Sequence, residues 1–259
     1  EGIVMAGVAK NAPVILQVSI NALKYNGLKA CVGYIKGLAE SVDIPVCLHL
    51  DHATDKEMIR ECIRAGFTSV MIDSSKKSYE ENIADTREIV EYAKQYGVSV
   101  EAELGMLGGR EENVVVDDAS AAMTNPDDVA HFVEATGIDA LAVAIGTAHG
   151  FYKADPKLDF ERLEKITKVT DCPLVLHGGT GVPEADFRKC VQLGMSKINY
   201  GTAIKSVFVG AVAAVCEEEA AKVPGKQDPR NLLRPAKQAV CDHVAEKIEI
   251  YGSTGKAWK

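Results

Sequence analysis

The sequence predicts an α/β fold built as a (β/α)8 TIM barrel. Seven short apolar runs alternate along the chain with segments of helical periodicity, which is typical of a parallel sheet covered by helices on both faces. The length of 259 residues suits one such barrel. We therefore expect a single barrel domain over 1–259 with a C-terminal helical extension at about 226–259. Seven units are visible where a barrel has eight, so we expect the first strand to precede Glu1.

The strands are predicted where aliphatic and β-branched residues form short runs bounded by turn residues. These runs lie at about 13–18, 45–51, 69–72, 99–103, 140–145, 174–177 and 197–199. The helices are predicted where apolar residues recur every three or four positions. These segments lie at about 23–40, 56–65, 79–95, 126–135, 160–169, 184–193, 203–221 and 230–250. A doubly wound open sheet is the alternative, but it would show a GxGxxG turn near the start, and none is present.

Capping residues support these helix boundaries. Asp55 and Asp127 are suited to begin helices, because their carboxylates can accept hydrogen bonds from the first free backbone N–H groups. Gly66 and Gly137 are suited to end the same helices, because glycine tolerates the left-handed conformation found there.

The composition limits the classes of molecule that we expect the protein to bind. The formal net charge is −8 and no basic block is present, which argues against nucleic acid or an anionic membrane as a partner. The seven cysteines form no CxxC pair, as in proteins of a reducing compartment. We see neither a signal-peptide pattern nor an apolar run long enough to span a membrane, and expect a cytoplasmic protein. A phosphorylated small molecule stays compatible with this charge, because an anion site needs only local donors.

Three histidines each follow an apolar, strand-like run. They are His52, His149 and His177. The carboxyl ends of barrel strands meet at one face, and three neutral imidazoles suit Zn²⁺ while leaving one coordination position open. Asp51 lies directly before His52, where its carboxylate can handle a proton or orient an imidazole. The sequence therefore predicts a metal centre at the strand ends.

Acidic and glycine-rich segments complete the candidate site. Glu101 and Glu103 share one face of a strand, and a buried carboxylate pair needs a metal or a Lys or Arg partner. The segment 105–113 can close over a site and deliver Glu111 or Glu112, or it can be a solvated loop. The turns Gly178–Gly181 and Asn199–Thr202 each join a strand to a helix, which favours phosphate binding at the last two strands.

Five of these motifs resemble those of the class II, metal-dependent ketose-bisphosphate aldolases, of the fructose- and tagatose-bisphosphate type. They are His49–His52, Val70–Asp73, Val100–Gly105, Gly146–Gly150 and His177–Gly181. The resemblance covers essentially the whole chain. It implies a TIM barrel that cleaves a ketose phosphate reversibly to dihydroxyacetone phosphate and an aldehyde, and an assembly of two or four subunits.

The resemblance also implies a role for individual residues. One Zn²⁺ per subunit would bind His52, His149 and His177, with Glu103 near the metal as an alternate ligand. Asp51 would be the proton-handling carboxylate and Glu111 the mobile acid/base. Our candidate substrate-binding residues are Ser19, Gly150, Lys153, Gly178, Gly179, Thr180, Asn199, Tyr200, Gly201, Thr202 and Lys256. A monovalent cation, Na⁺ or K⁺, would accompany the phosphate.

The distal end of the substrate is less sharply defined. Lys256 stands where bisphosphate-cleaving members usually carry Arg, and Lys cannot make the bidentate contact of a guanidinium. Fructose 1,6-bisphosphate and tagatose 1,6-bisphosphate are the first candidates, both giving glyceraldehyde 3-phosphate. Sulfofructose 1-phosphate, giving sulfolactaldehyde, and 2-deoxy-5-keto-gluconate 6-phosphate, giving malonate semialdehyde, are alternatives.

A zinc hydrolase is a different-class alternative, but it would normally show His-x-His at an early strand end. A non-catalytic metabolite-binding relative is a third.

Overall fold

The structure is a computed structural model that describes residues 1–111, 114–116, 122–152 and 156–258, with 109–111 and 114–116 described as backbone alone. The chain divides into two compact units. The sheet unit consists of Ile15–Gly37 and Cys47–Asn199, and the helical unit consists of Glu1–Val14, Leu38–Val46 and Tyr200–Lys259. All side chains predicted to bind the metal belong to the sheet unit.

Strands and helices alternate along the chain. The strands are β1 (Val14–Ser19), β2 (Val46–Ala53), β3 (Ser69–Ile72), β4 (Ser99–Leu104), β5 (Gly108–Glu111), β6 (Val114–Val116), β7 (Ala140–Val143), β8 (Ala148–His149), β9 (Leu174–Leu176) and β10 (Met195–Ile198). The helices are α1 (Gly2–Lys10), α2 (Ile20–Asn26), α3 (Leu28–Glu40), α4 (Lys56–Ala65), α5 (Tyr79–Lys94), α6 (Pro126–Thr136), α7 (Phe160–Thr167), α8 (Glu184–Gln192), α9 (Thr202–Ala220) and α10 (Pro229–Ile250).

Seven strands form the main sheet in the order β1-β2-β3-β4-β7-β9-β10. The neighbours from β2 to β10 pair in parallel, and at least one helix lies between each consecutive pair in the chain. All seven predicted strands are therefore confirmed, and so is the parallel α/β class. Closure into an eight-stranded barrel and a strand before Glu1 remain predictions.

The structure differs from the sequence prediction at two places. The helix predicted at 23–40 is two helices, α2 and α3, because Gly27 between them has a φ of +83°. That left-handed conformation turns the chain and is accessible to glycine at no steric cost. A second sheet, in the order β6-β5-β8, was not predicted. Its strands are only two to four residues long, too short for a clear alternation of apolar and polar residues.

Local capping explains the helix ends. Asp55 accepts hydrogen bonds from the N–H groups of Glu57 and Met58 at the start of α4, and Gly66 ends that helix with a φ of +110°, as predicted. The prediction that Asp127 caps α6 was wrong. Asn125 caps this helix and accepts a bond from the Asp127 N–H, because Pro126 occupies the first helical position.

The interior of the main sheet is apolar. Met71 of β3, Ala142 of β7 and Val175 of β9 are fully buried and pack together. Such side chains fill the strand centres, while Asp73, His177 and Asn199 directly follow the carboxyl ends of β3, β9 and β10. The sheet therefore presents its reactive groups at its carboxyl edge.

In the helical unit, α10 packs against both α1 and α9. A Cβ at Gly2 would lie 2.7 Å from the carbonyl oxygen of Lys237 and 2.9 Å from Val240 Cγ1, so glycine permits the close approach of α1 to α10. Among the described residues, no helix combines the length and the apolar character needed to cross a membrane.

Candidate active site

Three histidine side chains meet in the sheet unit. His52 lies near the end of β2, His149 in β8 and His177 directly after β9. One ring nitrogen of each lies within 4.8 Å of the others, and His52 Nε2 is 2.7 Å from His177 Nδ1. The interplanar angles of the ring pairs are 78°, 81° and 85°. Three imidazoles that converge in this way can hold a divalent ion and leave a position for substrate.

A backbone irregularity brings Asp51 and His52 to the same place. Adjacent side chains of a regular strand point to opposite faces. Here the register of β2 on β3 shifts between Leu50 and Ala53, and His52 has a φ of +45°. Asp51 Oδ1 lies 3.4 Å from Asn199 Nδ2, while Asn199 Nδ2 also lies 3.1 Å from His177 Nε2. The irregularity therefore lets two consecutive polar residues share one site.

Two buried carboxylates hydrogen-bond the rings of His52 and His177 on the side away from the histidine cluster. Asp73, the residue after β3, places Oδ2 3.1 Å from His52 Nδ1. Glu101 of β4 places Oε1 2.8 Å from His177 Nε2. Because a carboxylate only accepts hydrogen bonds, each ring carries a proton on the nitrogen facing it and directs its other nitrogen to the histidine cluster. This arrangement orients His52 and His177 as metal ligands are oriented.

The electrostatics of the cluster favour a cation. Burial alone would lower the pKa of His52, but the carboxylates of Asp51, Asp73 and Glu103 outweigh it and raise that pKa to about 10. Burial, with the Asp73 charge, raises the pKa of Glu103 to about 8. Glu103 Oε2 is buried and has no hydrogen-bond partner among the described residues. His52, Asp73 and Glu103 also have ligand atoms within 4.8 Å of one another. Glu103 therefore belongs to a second group of residues that could hold a metal ion.

The glycine-rich turn after β9 is packed closely against its neighbours. A Cβ at Gly178, where φ is +69°, would lie 2.4 Å from the carbonyl oxygen of Ala148. The Gly179 N–H donates to the carbonyl oxygen of Asn199 at 3.1 Å. The Tyr152 hydroxyl accepts from the Ala148 N–H at 2.8 Å and donates to the Gly178 carbonyl oxygen at 2.7 Å. Tyr152 thus ties the turn after β9 to the histidine strand β8.

The other described substrate-binding candidates of the sheet unit lie near this turn, except for Ser19, which lies at the start of α2. Thr180 is buried in the same turn, and Gly150, with a φ of +95°, directly follows His149. Asn199 lies against Asp51 and His177, and its Oδ1 is buried with no hydrogen-bond partner in the described part of the chain. Ser19 caps α2 by accepting a hydrogen bond from the Ala22 N–H, which gives its hydroxyl a local structural role.

Four candidates belong to the helical unit. The Tyr200 hydroxyl lies 3.1 Å from His243 Nε2 within that unit. Gly201 immediately precedes α9, and Thr202 is the first residue of that helix. Lys256 is exposed near the C-terminus.

Two candidates fall on the limits of the described residues. Glu111 ends β5, whose Gly109 pairs with His149 of β8, so the Glu111 backbone is two residues along the strand from that pair. The Glu111 side chain lies outside what is described, and so does Lys153 entirely. Glu112 lies outside it as well.

Three residues at or behind the site were missed as functional candidates. Asp73 could have been found from its position directly after a buried strand, as His177 was. Lys197 is a charged residue on β10 whose Nζ lies 2.7 Å from Glu101 Oε2. It supplies the cationic partner that the buried carboxylate requires: burial would raise the pKa of Glu101, but Lys197 and His177 hold it well below its usual value. Tyr152 follows a glycine turn and gives no sequence signal.

The fold and the site define an α/β enzyme with a histidine-rich candidate metal centre. The chain belongs to the class II fructose-bisphosphate aldolase family, because the family model described as "Fructose-bisphosphate aldolase class-II" matches residues 1–256. The protein is therefore an aldolase, a lyase of carbohydrate metabolism. Family membership favours aldol chemistry over the zinc hydrolase that the histidines alone left open.

Named relatives are similar over nearly all of this chain and most of their own length. The chain is 45% identical over 260 residues to the fructose-bisphosphate aldolase of Geobacillus stearothermophilus, covering 99% of this chain and 88% of that protein. It is 45% identical to the probable fructose-bisphosphate aldolase of Bacillus subtilis, covering 99% and 89%. The crystal structure of the YdjI aldolase from Escherichia coli K12 superposes with a TM-score of 0.86 at 33% identity, covering 99% of this chain and 88% of that one. These likenesses support the TIM-barrel-like fold.

Proposed function

We propose that the protein is a metal-dependent aldolase that cleaves a ketose phosphate reversibly to dihydroxyacetone phosphate and an aldehyde. The observation that carries the proposal is the convergence of His52, His149 and His177, with Asp51 placed beside them by the irregularity in β2. Fructose 1,6-bisphosphate, giving glyceraldehyde 3-phosphate, is the first candidate substrate, because the relatives are named for it. Tagatose 1,6-bisphosphate differs in the configuration at one carbon and is the second.

The donor set fits one Zn²⁺ per subunit. Three imidazole nitrogens and a nearby carboxylate are ligands that zinc prefers, and the buried Oε2 of Glu103 lacks a protein partner among the described residues. His52, His149 and His177 would hold the ion, with Glu103 as an alternate ligand. A bound divalent ion supplies Lewis-acid polarisation of a ketose carbonyl and stabilises the negative charge that grows there. A Na⁺ or K⁺ ion beside the substrate phosphate belongs to the same proposal.

Cleavage of the C3–C4 bond requires a base for the C4 hydroxyl. We assign that role to the Asp51 carboxylate, which lies at the edge of the histidine cluster near Asn199. As the proton moves from the C4 oxygen to Asp51, the C4–O bond becomes a carbonyl and the C3–C4 electron pair passes to the ketone half. Glu111 would then return a proton to C3. The pairing of Gly109 with His149 supports this role, because it brings the backbone of β5 alongside the cluster.

The phosphate of the ketone half would bind the turns that follow the last sheet strands. Gly150, Gly178, Gly179 and Thr180 line these turns in the sheet unit, together with Asn199, while Lys153 is proposed from the sequence alone. Tyr200, Gly201 and Thr202 are proposed from the same anion-binding logic, since they precede a helix N-terminus. Because the Gly179 N–H already bonds Asn199, other donors of the turn must contact the phosphate.

Ser19 and Lys256 are proposed to hold the far end of the substrate. A lysine gives a point charge instead of a guanidinium fork, so the distal group is acidic without being restricted to phosphate. Sulfofructose 1-phosphate and 2-deoxy-5-keto-gluconate 6-phosphate thus remain alternative substrates. We also propose a single barrel domain with a helical extension at about 226–259, a cytoplasmic location, a homodimer or homotetramer, and no nucleic-acid or membrane partner.

A substrate panel tests the proposal. Zinc-loaded protein is incubated with each of the four sugar phosphates, and release of dihydroxyacetone phosphate is followed with a coupled dehydrogenase. We expect cleavage of at least one substrate, loss of cleavage after chelation and recovery when Zn²⁺ is restored. Cleavage that survives complete removal of the metal would refute metal dependence. Release of no dihydroxyacetone phosphate from any of the four would refute the substrate class.

A further inference from the structure

A mostly buried lysine, Lys197, is connected to the candidate metal centre through Glu101. Lys197 Nζ donates to Glu101 Oε2 at 2.7 Å, and Glu101 Oε1 accepts from His177 Nε2 at 2.8 Å. The three residues come from β10, from β4 and from the end of β9. We propose that Lys197 is a positioning residue, which acts through Glu101 to keep His177 Nδ1 directed at the metal. The inference rests on the metal site proposed above.

The two donors on Glu101 fix the orientation of its carboxylate. Among the described residues, each oxygen has one hydrogen-bond partner, and the two partners lie directly after β9 and on β10. The Glu101 side chain is only 2% exposed and the Lys197 side chain 12%, so bulk water has little access to replace either contact. His49 Nε2 is 3.8 Å from Glu101 Oε2, too far for a hydrogen bond. Lys197 is therefore the residue that holds the second oxygen.

The orientation of Glu101 determines which nitrogen of His177 can bind a metal. A carboxylate facing Nε2 requires a proton on that atom, which leaves the lone pair on Nδ1. Nδ1 is the atom that faces the cluster, 2.7 Å from His52 Nε2. If the carboxylate rotates or withdraws, His177 Nε2 loses the acceptor that selects this tautomer. Loss of such outer partners typically weakens metal binding about 10- to 100-fold.

Three variants and their matched control test the role of Lys197. Lys197→Met keeps the length of the side chain and removes the donor, whereas Lys197→Arg keeps a donor and the charge. Glu101→Gln keeps the shape of the intermediate residue. Lys56→Met is the control, because Lys56 also donates to carboxylates, those of Asp85 and Glu88, but on α4 at the surface. The dissociation constant for Zn²⁺ is measured by competition with a chelator of known affinity, and folding by circular dichroism.

We expect Lys197→Met to bind Zn²⁺ about 10- to 100-fold more weakly than the parent, with Lys197→Arg recovering most of the loss and Lys56→Met unchanged. The double variant Lys197→Met/Glu101→Gln should bind no more weakly than Glu101→Gln alone, because Lys197 acts through Glu101. In Co²⁺-substituted protein, the visible ligand-field spectrum should change for Lys197→Met and not for Lys56→Met. A purely structural lysine would lower the melting temperature without moving the spectrum.

Zinc affinity of Lys197→Met equal to that of the parent would overturn the inference. If Lys197→Met does not fold, the comparison of the double variant with Glu101→Gln decides, and a double variant that binds Zn²⁺ more weakly than Glu101→Gln would overturn it. The zinc content of the parent and the zinc affinity of His177→Ala separate this inference from the proposed function. If the parent holds no stoichiometric zinc, or if His177→Ala leaves zinc affinity intact, the proposed metal site fails and the inference fails with it. If the parent holds stoichiometric zinc, His177→Ala loses zinc affinity and Lys197→Met binds zinc normally, only the inference fails.

Discussion

Replacing Gly178 with alanine tests the close packing of the turn after β9. The residue has a φ of +69°, and an added Cβ would lie 2.4 Å from the carbonyl oxygen and 2.8 Å from the carbonyl carbon of Ala148. Both neighbours are backbone atoms, so a side-chain rotation cannot relieve the overlap. Gly97 is the matched control, because its φ is +66° and nothing lies within 4 Å of its Cβ position. Both glycines belong to the sheet unit.

The two substitutions share one cost and differ in another. A left-handed alanine costs about 1–2 kcal/mol, and alanine returns about 0.4–1 kcal/mol by restricting the unfolded chain. Gly178→Ala also forces β8 and the turn apart, and such overpacking typically costs about 1–3 kcal/mol. We therefore expect Gly178→Ala to lower the melting temperature by about 2–12 °C more than Gly97→Ala does, at about 2–4 °C per kcal/mol for a chain of this size.

Thermal unfolding followed by circular dichroism measures this difference, and steady-state kinetics give its functional consequence. We expect KM for the ketose phosphate to rise in Gly178→Ala and to stay unchanged in Gly97→Ala, since only the former disturbs the proposed phosphate turn. Equal melting temperatures for the two variants would refute the close approach of Gly178 to Ala148. A destabilised Gly178→Ala with the KM of the parent would instead refute the placement of phosphate at this turn.

Three further substitutions test the proposed roles. His149→Ala should lower bound zinc and abolish cleavage, because two imidazoles hold zinc weakly; full occupancy by elemental analysis would contradict the ligand assignment. Asp51→Ala should keep its zinc and lose about 10²–10⁴-fold in single-turnover rate; a rate equal to that of the parent would remove Asp51 from proton transfer. Lys256→Ala should lower kcat/KM for an acidic substrate about 10- to 150-fold, since a charged hydrogen bond contributes about 1.5–3 kcal/mol. Equal losses with an uncharged aldehyde would show a structural role.

The sheet could be predicted because its strands carry their own pattern. Val70–Ile72 and Leu174–Leu176 are short apolar runs between turn residues, and they form β3 and β9. The break at Gly27 was missed because the helical periodicity continues on both sides of it. A single glycine within a helical pattern is often tolerated, so only the tertiary structure shows that the chain turns there.

The site was predicted at the residues whose chemistry is local and missed where it depends on contacts between strands. His52 lies near the carboxyl end of β2 and His177 directly after β9, so their meeting follows from a parallel sheet. The partnership of Lys197 with Glu101 spans 96 positions of the chain, and no spacing rule pairs them. The need for a cation beside Glu101 was nevertheless predictable, because a buried carboxylate requires one. Sequence reasoning thus gave the requirement, and the fold selected Lys197 to meet it.

The adjacency of Asp51 and His52 contains more structural information than either residue alone. Two consecutive side chains cannot both reach one site from a regular strand, because successive residues point to opposite faces. If both are needed, the strand must break its register, and the structure has such a shift between Leu50 and Ala53. The left-handed φ of His52 costs about 1–3 kcal/mol for a residue other than glycine. The hydrogen bond of His52 Nδ1 to Asp73 and its contact with His177 hold it there. Because glycine would remove the strain but also the imidazole, the strained conformation itself supports a functional role for His52.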